Sequence, residues 1–421
     1  MNEDRELVVW MGPTPVGTLL DERAGRLSFR YLPAYLAGPA PAPLSLSLPL
    51  RDDGFDDGES RPYFANLLPD GGLREAVARR LGISPRNDFA LLAALGGECA
   101  GAVSLLPPGV APEVEGRYEP LDDAELDRLV GELPQRPLLA GERGIRLSLA
   151  GAQSKLPLRF ADGRFFLARG GLATTHILKP AIPQLADTVR NEAFCMALAG
   201  RAGLPVPRSW IHRGRDLTYV VERFDRRIDA DGTVAREHAE DFCQATGRPP
   251  ERKYQAEGGP GLAECFALLQ DHSAHPAPDR HALLRLVVLN ALLHNADAHA
   301  KNLSLLHAGG AVRLAPFYDL LSTGVYEEVG EKMAMSIGGE KRPDALRRRH
   351  WERFADEVHV GRRLVLDSVG QMAAGLPALA AALADEQAHA FGPSAIVTRI
   401  ASGVTARCRV ALQEVGRTEK G

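Results

Sequence analysis

Cysteine is scarce in this chain of 421 residues, and the five that occur are widely scattered. No CxxC pair is present, which argues against a zinc ribbon or a dithiol redox centre. A sparse, odd set of thiols is typical of a cytosolic protein that keeps its cysteines reduced. We therefore expect free thiols at Cys99, Cys195, Cys243, Cys265 and Cys408.

Long apolar runs and a charge excess of one sign are also lacking. The N-terminus, MNEDRELVVW, is acidic, so we expect no signal peptide. No stretch approaches about 18 uncharged apolar residues, so we expect no membrane span. The net charge of −4 argues against bulk binding of nucleic acid or membrane. Because lysine occurs at only seven positions, each lysine is a candidate for a specific role.

Three regions of different pattern follow one another along the chain. Short β-type runs (ELVVWM, VGTLLD, RLSFRYL) and two helical stretches predict a β-rich N-terminal domain at 1–110. Strands around one helix, TVRNEAFCMALAGRAG, predict a second block at 138–230. From about His238 the pattern is almost wholly helical, and HALLRLVVLNALLHN predicts a buried central helix within 235–421.

The stretch REHAEDFCQATG lies at the start of this helical region. Its polar residues predict the start of a helix, with Glu240 and Asp241 near a cleft. The sequence gives no role for it.

The stretch HNADAHAKN, residues 294–302, allows three interpretations. His294, Asp297 and His299 could form a zinc or iron cage, although histidines five apart suit one helical face poorly. The segment could also be a polar helix terminus. In the third interpretation it is a phosphotransferase loop, with Asp297 near the acceptor hydroxyl and Asn302 and Asp319 as Mg²⁺ ligands. Protein kinases carry this order, an Asp, an Asn five residues later and a downstream Asp.

Phosphoryl transfer also needs a cation on the nucleotide phosphates. Lys179 ends the β-type run THILKP, and Glu192 lies on the next helix, as do the strand lysine and helix glutamate of kinases. In SLAGAQSK, residues 148–155, Gly151 lets the backbone approach an anion. A simple hairpin turn would explain SLAGAQSK equally well.

Taken together, these motifs resemble the HipA family of bacterial serine/threonine kinases, the toxins of HipBA-type toxin–antitoxin modules. The matching stretches, in the family's order, are SLAGAQSK, HILKP, NEAFCMALA…GLPVP, VVERFDR, REHAEDFCQATG, NADAHAKNLSLL and LAPFYDLLS. YFANLLPDG and LLAALGGECAGAVSL resemble the family's N-terminal domain. The resemblance implies an α+β, two-lobed protein-kinase-like (HipA-type) fold with an extra N-terminal β-rich domain and an all-helical C-lobe. The regions 1–110, 138–230 and 235–421 then become the N-terminal domain, the kinase N-lobe and the C-lobe.

The resemblance also assigns roles to single residues. It implies that Asp297 is the catalytic aspartate, that Asn302 and Asp319 bind magnesium, and that Lys179, with Glu192 as its partner, contacts the nucleotide phosphates. The hinge Glu222, Arg223 and Phe224 is expected to hold adenine through backbone hydrogen bonds. The other implied ATP contacts are Ala150, Gly151, Ala152, Gln153, Ser154, Lys155, His299, Ala300, Lys301 and Tyr318.

Ser148 falls on the serine that family members autophosphorylate, which ejects the loop and silences the kinase. Ser154 stands where members often have an acid, so the choice between the two serines stays open. Leu149 is the main apolar anchor of the loop, so its expulsion is expected to be cheap.

The implied function is an ATP- and Mg²⁺-dependent serine/threonine kinase that arrests growth by phosphorylating a translation-related protein; aminoacyl-tRNA synthetases are targets in relatives. A HipB-like DNA-binding antitoxin is the implied partner, with DNA contacted only through it, no membrane, and a cytoplasmic location. Two alternatives stay open. An aminoglycoside-type small-molecule phosphotransferase would need an acidic acceptor pocket, and no acidic run lies near Asp297. An antitoxin-binding pseudokinase conflicts with the intact set Lys179, Asp297, Asn302 and Asp319.

Overall fold

In the computed structural model, which describes residues 5–22, 25–112, 116–142 and 144–416, the chain divides into two units. The first comprises the described parts of Met1–Pro180, His212–Arg252 and Ser304–Gly310. The second comprises Ala181–Ile211, Lys253–Leu303 and the described part of Ala311–Gly421. This division differs from the three predicted domains, which stay a prediction. The first four residues of the acidic N-terminal stretch lie outside the described residues.

The first unit begins with a four-stranded antiparallel sheet of order β3-β2-β1-β4. Its elements are β1 (Glu6–Met11), β2 (Thr14–Asp21), β3 (Leu27–Tyr31), α1 (Pro33–Leu36), α2 (Asp57–Ala65), α3 (Gly71–Leu81), α4 (Asp88–Leu95) and β4 (Val103–Leu106). Alternation along β3 sends Phe29 and Tyr31 into a core shared with Phe55 and Phe64. The predicted strands of this region are therefore confirmed, whereas the first predicted helical stretch, 61–83, is broken at 66–70 into the end of α2 and α3.

The strands of a second sheet that lie wholly in the first unit have the order β5-β7-β6-β8-β10. The elements here are β5 (Arg117–Leu121), α5 (Asp123–Glu132), β6 (Leu156–Ala161), β7 (Arg164–Arg169), β8 (His176–Pro180), β9 (Ser209–Arg213) and β10 (Leu217–Glu222). β8 and β10 pair antiparallel, with Lys179 opposite Tyr219. Within residues 145–150, Leu147 forms an isolated parallel bridge with Glu98.

Short strands complete the first unit. They are β11 (Arg226–Ile228), β12 (Val234–Arg236), β13 (His238–Asp241) and β14 (Ser304–Ala308), with the single-turn α7 (Phe242–Ala245). β13 pairs antiparallel with β14, so that His238 faces His307. The predicted helix start in REHAEDFCQATG is confirmed at Phe242, where α7 begins with Asp241 as its N-cap, but His238–Asp241 form a strand that was not predicted.

Within the first unit, the REHAEDFCQATG segment forms hydrogen bonds with residues 45–66. Buried Glu240 accepts hydrogen bonds from the Ser45 hydroxyl and from the backbone N–H of Leu46. Gln244 donates to the Tyr63 carbonyl at 3.1 Å and accepts, through its own carbonyl, from Ser47 at 2.7 Å. These contacts give the segment a structural role.

The second unit is mostly helical. Its elements are α6 (Thr188–Arg201), α8 (Leu262–His272), α9 (Pro276–Leu293), β15 (Ala311–Leu314), α10 (Arg348–Glu357), α11 (Arg362–Phe391) and α12 (Ala395–Val415). Nearly every residue of α9 from 283 to 293 is buried, so the predicted central helix is confirmed. α11 packs against α6, α9, α10 and α12.

Within the described residues, α11 is the one helix long and apolar enough to cross a membrane. The expectation that no apolar stretch approaches membrane-spanning length is therefore wrong for 362–391. Its packing against four other helices is the behaviour of a core helix.

Candidate active site

The loop that carries Asp297 starts where α9 ends. His294 adopts a left-handed conformation, φ 58°, which terminates the helix and turns the chain. The Ala296 N–H donates to the Thr323 hydroxyl at 2.7 Å, and the Asp297 N–H donates to the Asn295 side chain at 3.1 Å. These two bonds hold the backbone that leads from the turn to Asp297.

Asp297 is held at one oxygen and exposed at the other. The Tyr254 hydroxyl donates to Asp297 Oδ1 at 2.5 Å, and His299 Nε2 lies 3.7 Å from the same oxygen. The Tyr254 and His299 rings meet edge to face, 5.0 Å between centroids. The Asp297 side chain is still 44% exposed. Oδ2 accepts no hydrogen bond from the described residues, so it is the oxygen that an acceptor hydroxyl can reach.

Asn302, the residue five positions later, closes the loop. Its carboxamide N–H donates to the Asp297 backbone carbonyl at 2.9 Å. This bond uses the nitrogen end of the amide and leaves Oδ1 as an oxygen ligand. The five-residue spacing of Asp297 and Asn302 thus corresponds to a closed loop. This loop holds the Asp297 carboxylate and the Asn302 amide oxygen in place.

Asp319 follows β15 in an irregular segment. Its backbone is left-handed, φ 54°. The Tyr318 hydroxyl donates to the Lys301 carbonyl at 2.9 Å, and the Ser322 hydroxyl donates to the Leu293 carbonyl at 2.7 Å. Asp319 lies between these two anchors, so the structure brings its segment to the Asp297 loop.

Helix α6 fixes the same segment from another side. Asn191 and Ser322 exchange two hydrogen bonds, side chain to backbone in both directions, each 2.9 Å. Glu192, the next residue on α6, is buried. The helix that carries Glu192 is therefore tied to the segment that carries Asp319.

The oxygen donors of Asn302 and Asp319 suit a hard cation. An amide oxygen and a carboxylate are ligand types that Mg²⁺ prefers. The competing cage has less support, because His294 Nε2 is bonded to the Glu331 carbonyl at 3.1 Å. Among the described residues, no group of three or more His, Cys, Asp or Glu is placed to hold a metal ion.

The phosphate-loop candidate, 148–155, is packed into the first unit. Ser148 is fully buried, its hydroxyl donates to the Leu67 carbonyl at 2.7 Å, and its N–H donates to the Glu98 carbonyl at 2.8 Å. Leu147 and Leu149 are also buried. The expectation of a weakly anchored loop is therefore wrong, because three consecutive residues would lose buried contacts on expulsion.

Further along the loop, the Lys155 side chain lies close to Gly151. Gly151 has φ 107°, which favours glycine, and an added Cβ would lie 2.7 Å from Lys155 Nζ. The Lys155 ammonium donates to the Ala150 carbonyl at 2.5 Å, so the side chain folds back over its own loop. Gln153 donates to the Pro180 carbonyl at 3.0 Å, which joins the loop to the end of β8.

Lys179 is buried on β8 in the first unit, with Nζ 5.8 Å from the centroid of the Tyr219 ring. Its proposed partner Glu192 belongs to the second unit.

The hinge residue Arg223 points into the first unit. Its backbone N–H donates to the Thr175 carbonyl at 2.9 Å, and its guanidinium bonds Glu98, Asp225 and the Cys99 carbonyl. Arg223 therefore shapes the hinge from inside. Its neighbours Glu222 and Phe224 are half-buried.

Sequence reasoning missed Tyr254, Asn191 and Glu98. Tyr254 lies in ERKYQAE, a stretch without periodic pattern, and only the fold brings it to Asp297. None of the five cysteines forms a disulfide, as expected, and all five are buried.

The chain is similar to known proteins along nearly its whole length. A family model described as HipA-like C-terminal domain matches residues 147–380, and one described as HipA N-terminal domain matches residues 7–106. A protein of Sinorhizobium fredii named as kinase Y4mE is 44% identical over 415 residues, covering 96% of this chain and 98% of that protein. The serine/threonine-protein kinase toxin HipA of Shewanella oneidensis is 32% identical, covering 80% of this chain and 79% of that protein.

A solved structure is also similar over nearly the whole chain. It is the complex of Shewanella oneidensis HipA with HipB and operator DNA, and the match has TM-score 0.81 at 29% identity. It covers 97% of this chain and 98% of that chain. The relatives show that the protein belongs to the class of kinases. The chain belongs to the HipA family, and the predicted α+β fold, β-rich at the N-terminus and helical at the C-terminus, is confirmed.

Proposed function

We propose that this HipA-family kinase transfers the γ-phosphoryl group of ATP to serine or threonine of a protein in a Mg²⁺-dependent reaction. The observation that carries the proposal is the Asp297 carboxylate, with Oδ1 fixed by Tyr254 and the side chain still 44% exposed. A carboxylate fixed in this way can orient an acceptor hydroxyl and take its proton.

The remaining site residues take the following roles in this proposal. Lys179 and the loop Ala150–Lys155 bind the nucleotide phosphates, and the backbone of Glu222–Phe224 binds adenine. His299–Asn302 and Tyr318 complete the nucleotide contacts, and Glu192 pairs with Lys179. Asn302 and Asp319 hold Mg²⁺, which when bound neutralises charge on the phosphates.

Regulation by Ser148 and by a partner belongs to the same proposal. Phosphorylation of Ser148, with Ser154 as the alternative, would silence the kinase by releasing the loop. A HipB-like antitoxin would bind the chain in the cytoplasm and supply its only link to DNA. The Shewanella relative, solved with HipB and operator DNA, supports the proposed antitoxin partner.

The experiment is quantitative phosphoproteomics after brief induction of the chain in a bacterial host. Wild type is compared with Asp297→Ala, and with Asp271→Ala as an exposed acidic control on α8. We expect new serine or threonine phosphosites, including sites on translation proteins, in wild type and the control but not in Asp297→Ala. Equal phosphosites in all three strains would contradict the proposal.

A further inference from the structure

Glu98 lies between α4 and β4, outside every segment assigned to the nucleotide. Its side chain is 1% exposed. One oxygen, Oε1, accepts four hydrogen bonds: from the Thr174 N–H at 2.7 Å, the Thr174 hydroxyl at 2.8 Å, and Arg223 and Arg226 at 3.2 Å each. A buried carboxylate with this many donors fixes the groups around it.

The surrounding charges are balanced and buried. Asp225 accepts from Arg223 Nε at 2.9 Å and from the Gly101 N–H at 2.6 Å. Burial by itself would raise the pKa of Glu98, but the guanidiniums of Arg223, Arg226 and Arg236, together with the Thr174 N–H, outweigh it and lower that pKa. Two carboxylates thus face two guanidiniums, and removing one charge would leave another unpaired in the interior.

This network fixes the hinge from the side of the N-terminal region. Arg223 Nη1 also donates to the Thr174 hydroxyl at 3.1 Å, and Arg223 Nη2 donates to the Cys99 carbonyl at 2.9 Å. With the backbone bond from Arg223 to Thr175, the side chain and main chain of the central hinge residue are both tied down. The position of the hinge carbonyls and N–H groups then depends on Glu98.

The backbone of Glu98 fixes the phosphate loop. Its carbonyl accepts from the Ser148 N–H at 2.8 Å, and its N–H donates to the Arg146 carbonyl at 2.8 Å. Glu98 also forms a parallel bridge with Leu147. One residue thus holds both segments proposed to bind the nucleotide, the hinge through its side chain and the loop through its main chain.

We propose that Glu98 is a positioning residue for ATP, whose carboxylate sets the adenine-binding hinge and whose backbone sets the phosphate loop. The inference rests on the proposed function. Replacing the Glu98 side chain disturbs the hinge alone. The affinity that is lost is therefore that for adenine and not that for the phosphates. Loss of the whole fold would weaken binding of both parts equally.

The test is calorimetric titration of ATP and of tripolyphosphate, both with Mg²⁺, into the full chain and its variants. For Glu98→Gln we expect ATP affinity to fall about ten-fold, because the amide keeps an acceptor oxygen but removes the negative charge that strengthens the bonds from Arg223 and Arg226. Tripolyphosphate affinity should stay within about twofold of wild type. Thr174→Val removes one donor to Glu98 without removing a charge, and should show the same selectivity with about a threefold loss.

The matched control is Glu119→Gln. Glu119 is also paired with two arginines in the first unit, Arg117 and Arg169, but lies outside the network. Its ATP and tripolyphosphate affinities should equal those of wild type. Ser148→Ala, which loses the bond to Leu67, should weaken both ligands by a similar factor because it acts on the loop.

Equal losses for ATP and tripolyphosphate in Glu98→Gln, or no loss, would overturn the inference while leaving the proposed function in place. A wild-type chain that binds no ATP would overturn both. Far-ultraviolet circular dichroism checks folding, and if Glu98→Gln does not fold, the selectivity of Thr174→Val decides.

Discussion

The Tyr254 hydroxyl donates to Asp297 Oδ1 at 2.5 Å. Tyr254 itself is placed by its neighbour Gln255, whose side chain accepts from the Ser336 N–H at 2.8 Å and whose own N–H donates to the Ala334 carbonyl. The carboxylate thus receives its orientation from a segment far from the loop that carries it. Removing the Tyr254 hydroxyl should leave Asp297 in place but allow its carboxylate to rotate.

Tyr254→Phe should therefore lower kcat with little change in KM for ATP. A hydrogen bond to a charged group contributes ~1.5 to 3 kcal/mol, so we expect a loss of about ten-fold or more in kcat. Steady-state kinetics with a peptide or protein acceptor measures it. A KM for ATP that rises while kcat stays unchanged would contradict this role for Tyr254.

Ser148 should be reached by phosphoryl transfer only after its loop has left the packed position. The hydroxyl is fully buried and bonded to Leu67, and a phosphate adds about −1.5 to −2 charges at neutral pH. We expect phosphorylated protein to bind ATP weakly and to be cleaved by proteases within 147–155. Mass spectrometry before and after incubation with ATP identifies the phosphorylated serine. The variants Ser148→Ala and Ser154→Ala are measured in parallel for comparison. Full ATP affinity in protein phosphorylated at Ser148 would disprove the mechanism.

Asp319→Asn should raise the Mg²⁺ concentration needed for half-maximal activity. It exchanges a carboxylate ligand for a neutral amide, and replacement of metal-site partners commonly costs about 10- to 100-fold. Asp344→Asn, at an aspartate whose side chain is 70% exposed, is the control in the same unit. Identical Mg²⁺ titrations for Asp319→Asn and wild type would remove Asp319 from the metal site.

Stability should fall as the pH decreases from 7 toward 4 because of His238. Burial, with a contribution from His307, lowers the pKa of His238 from 6.5 to about 4, while Glu240 acts in the opposite direction. Below pH 6.5 His238 takes up a proton in the unfolded chain and does not in the folded chain. The contribution of His238 to the free energy of unfolding is therefore full above pH 6.5. It is lost progressively down to about pH 4, by about 3 kcal/mol at most.

Chemical denaturation at several pH values between 7.5 and 5 measures this slope. His238→Gln should flatten it, and His272→Gln, at an exposed histidine on α8, should not. His238 donates through Nε2 to the Leu44 carbonyl at 2.8 Å, so the variant is also expected to be less stable at pH 7.5. A slope unchanged by His238→Gln would contradict the assignment.

The elements that the sequence predicts well are those set by local pattern. α9 is apolar on most faces and ends at a left-handed histidine, and β8 places Lys179 at a strand end as expected. β13 was missed because it pairs with β14, which is distant in sequence, and its own polar residues have no strand periodicity. Pairing of this kind depends on the tertiary fold.

The residues of the candidate site likewise include some that are visible in the local sequence pattern and others that depend on the tertiary fold. The spacing of Asp297 and Asn302 is visible in the sequence because one loop carries both residues. Tyr254 was missed because its partner lies more than forty residues away, and no pattern in ERKYQAE indicates a contact. The burial of Ser148 was missed because the groups that cover it, Leu67 and Glu98, belong to the N-terminal region.

The most direct test of the account is the kinetics of Asp297→Asn. Asparagine keeps the acceptor for Tyr254 and the size of the side chain but cannot take a proton. We expect kcat to fall by about 10²- to 10⁴-fold while ATP affinity stays within about threefold of wild type. Phosphoryl transfer within about threefold of wild type would contradict the central claim that Asp297 activates the acceptor hydroxyl.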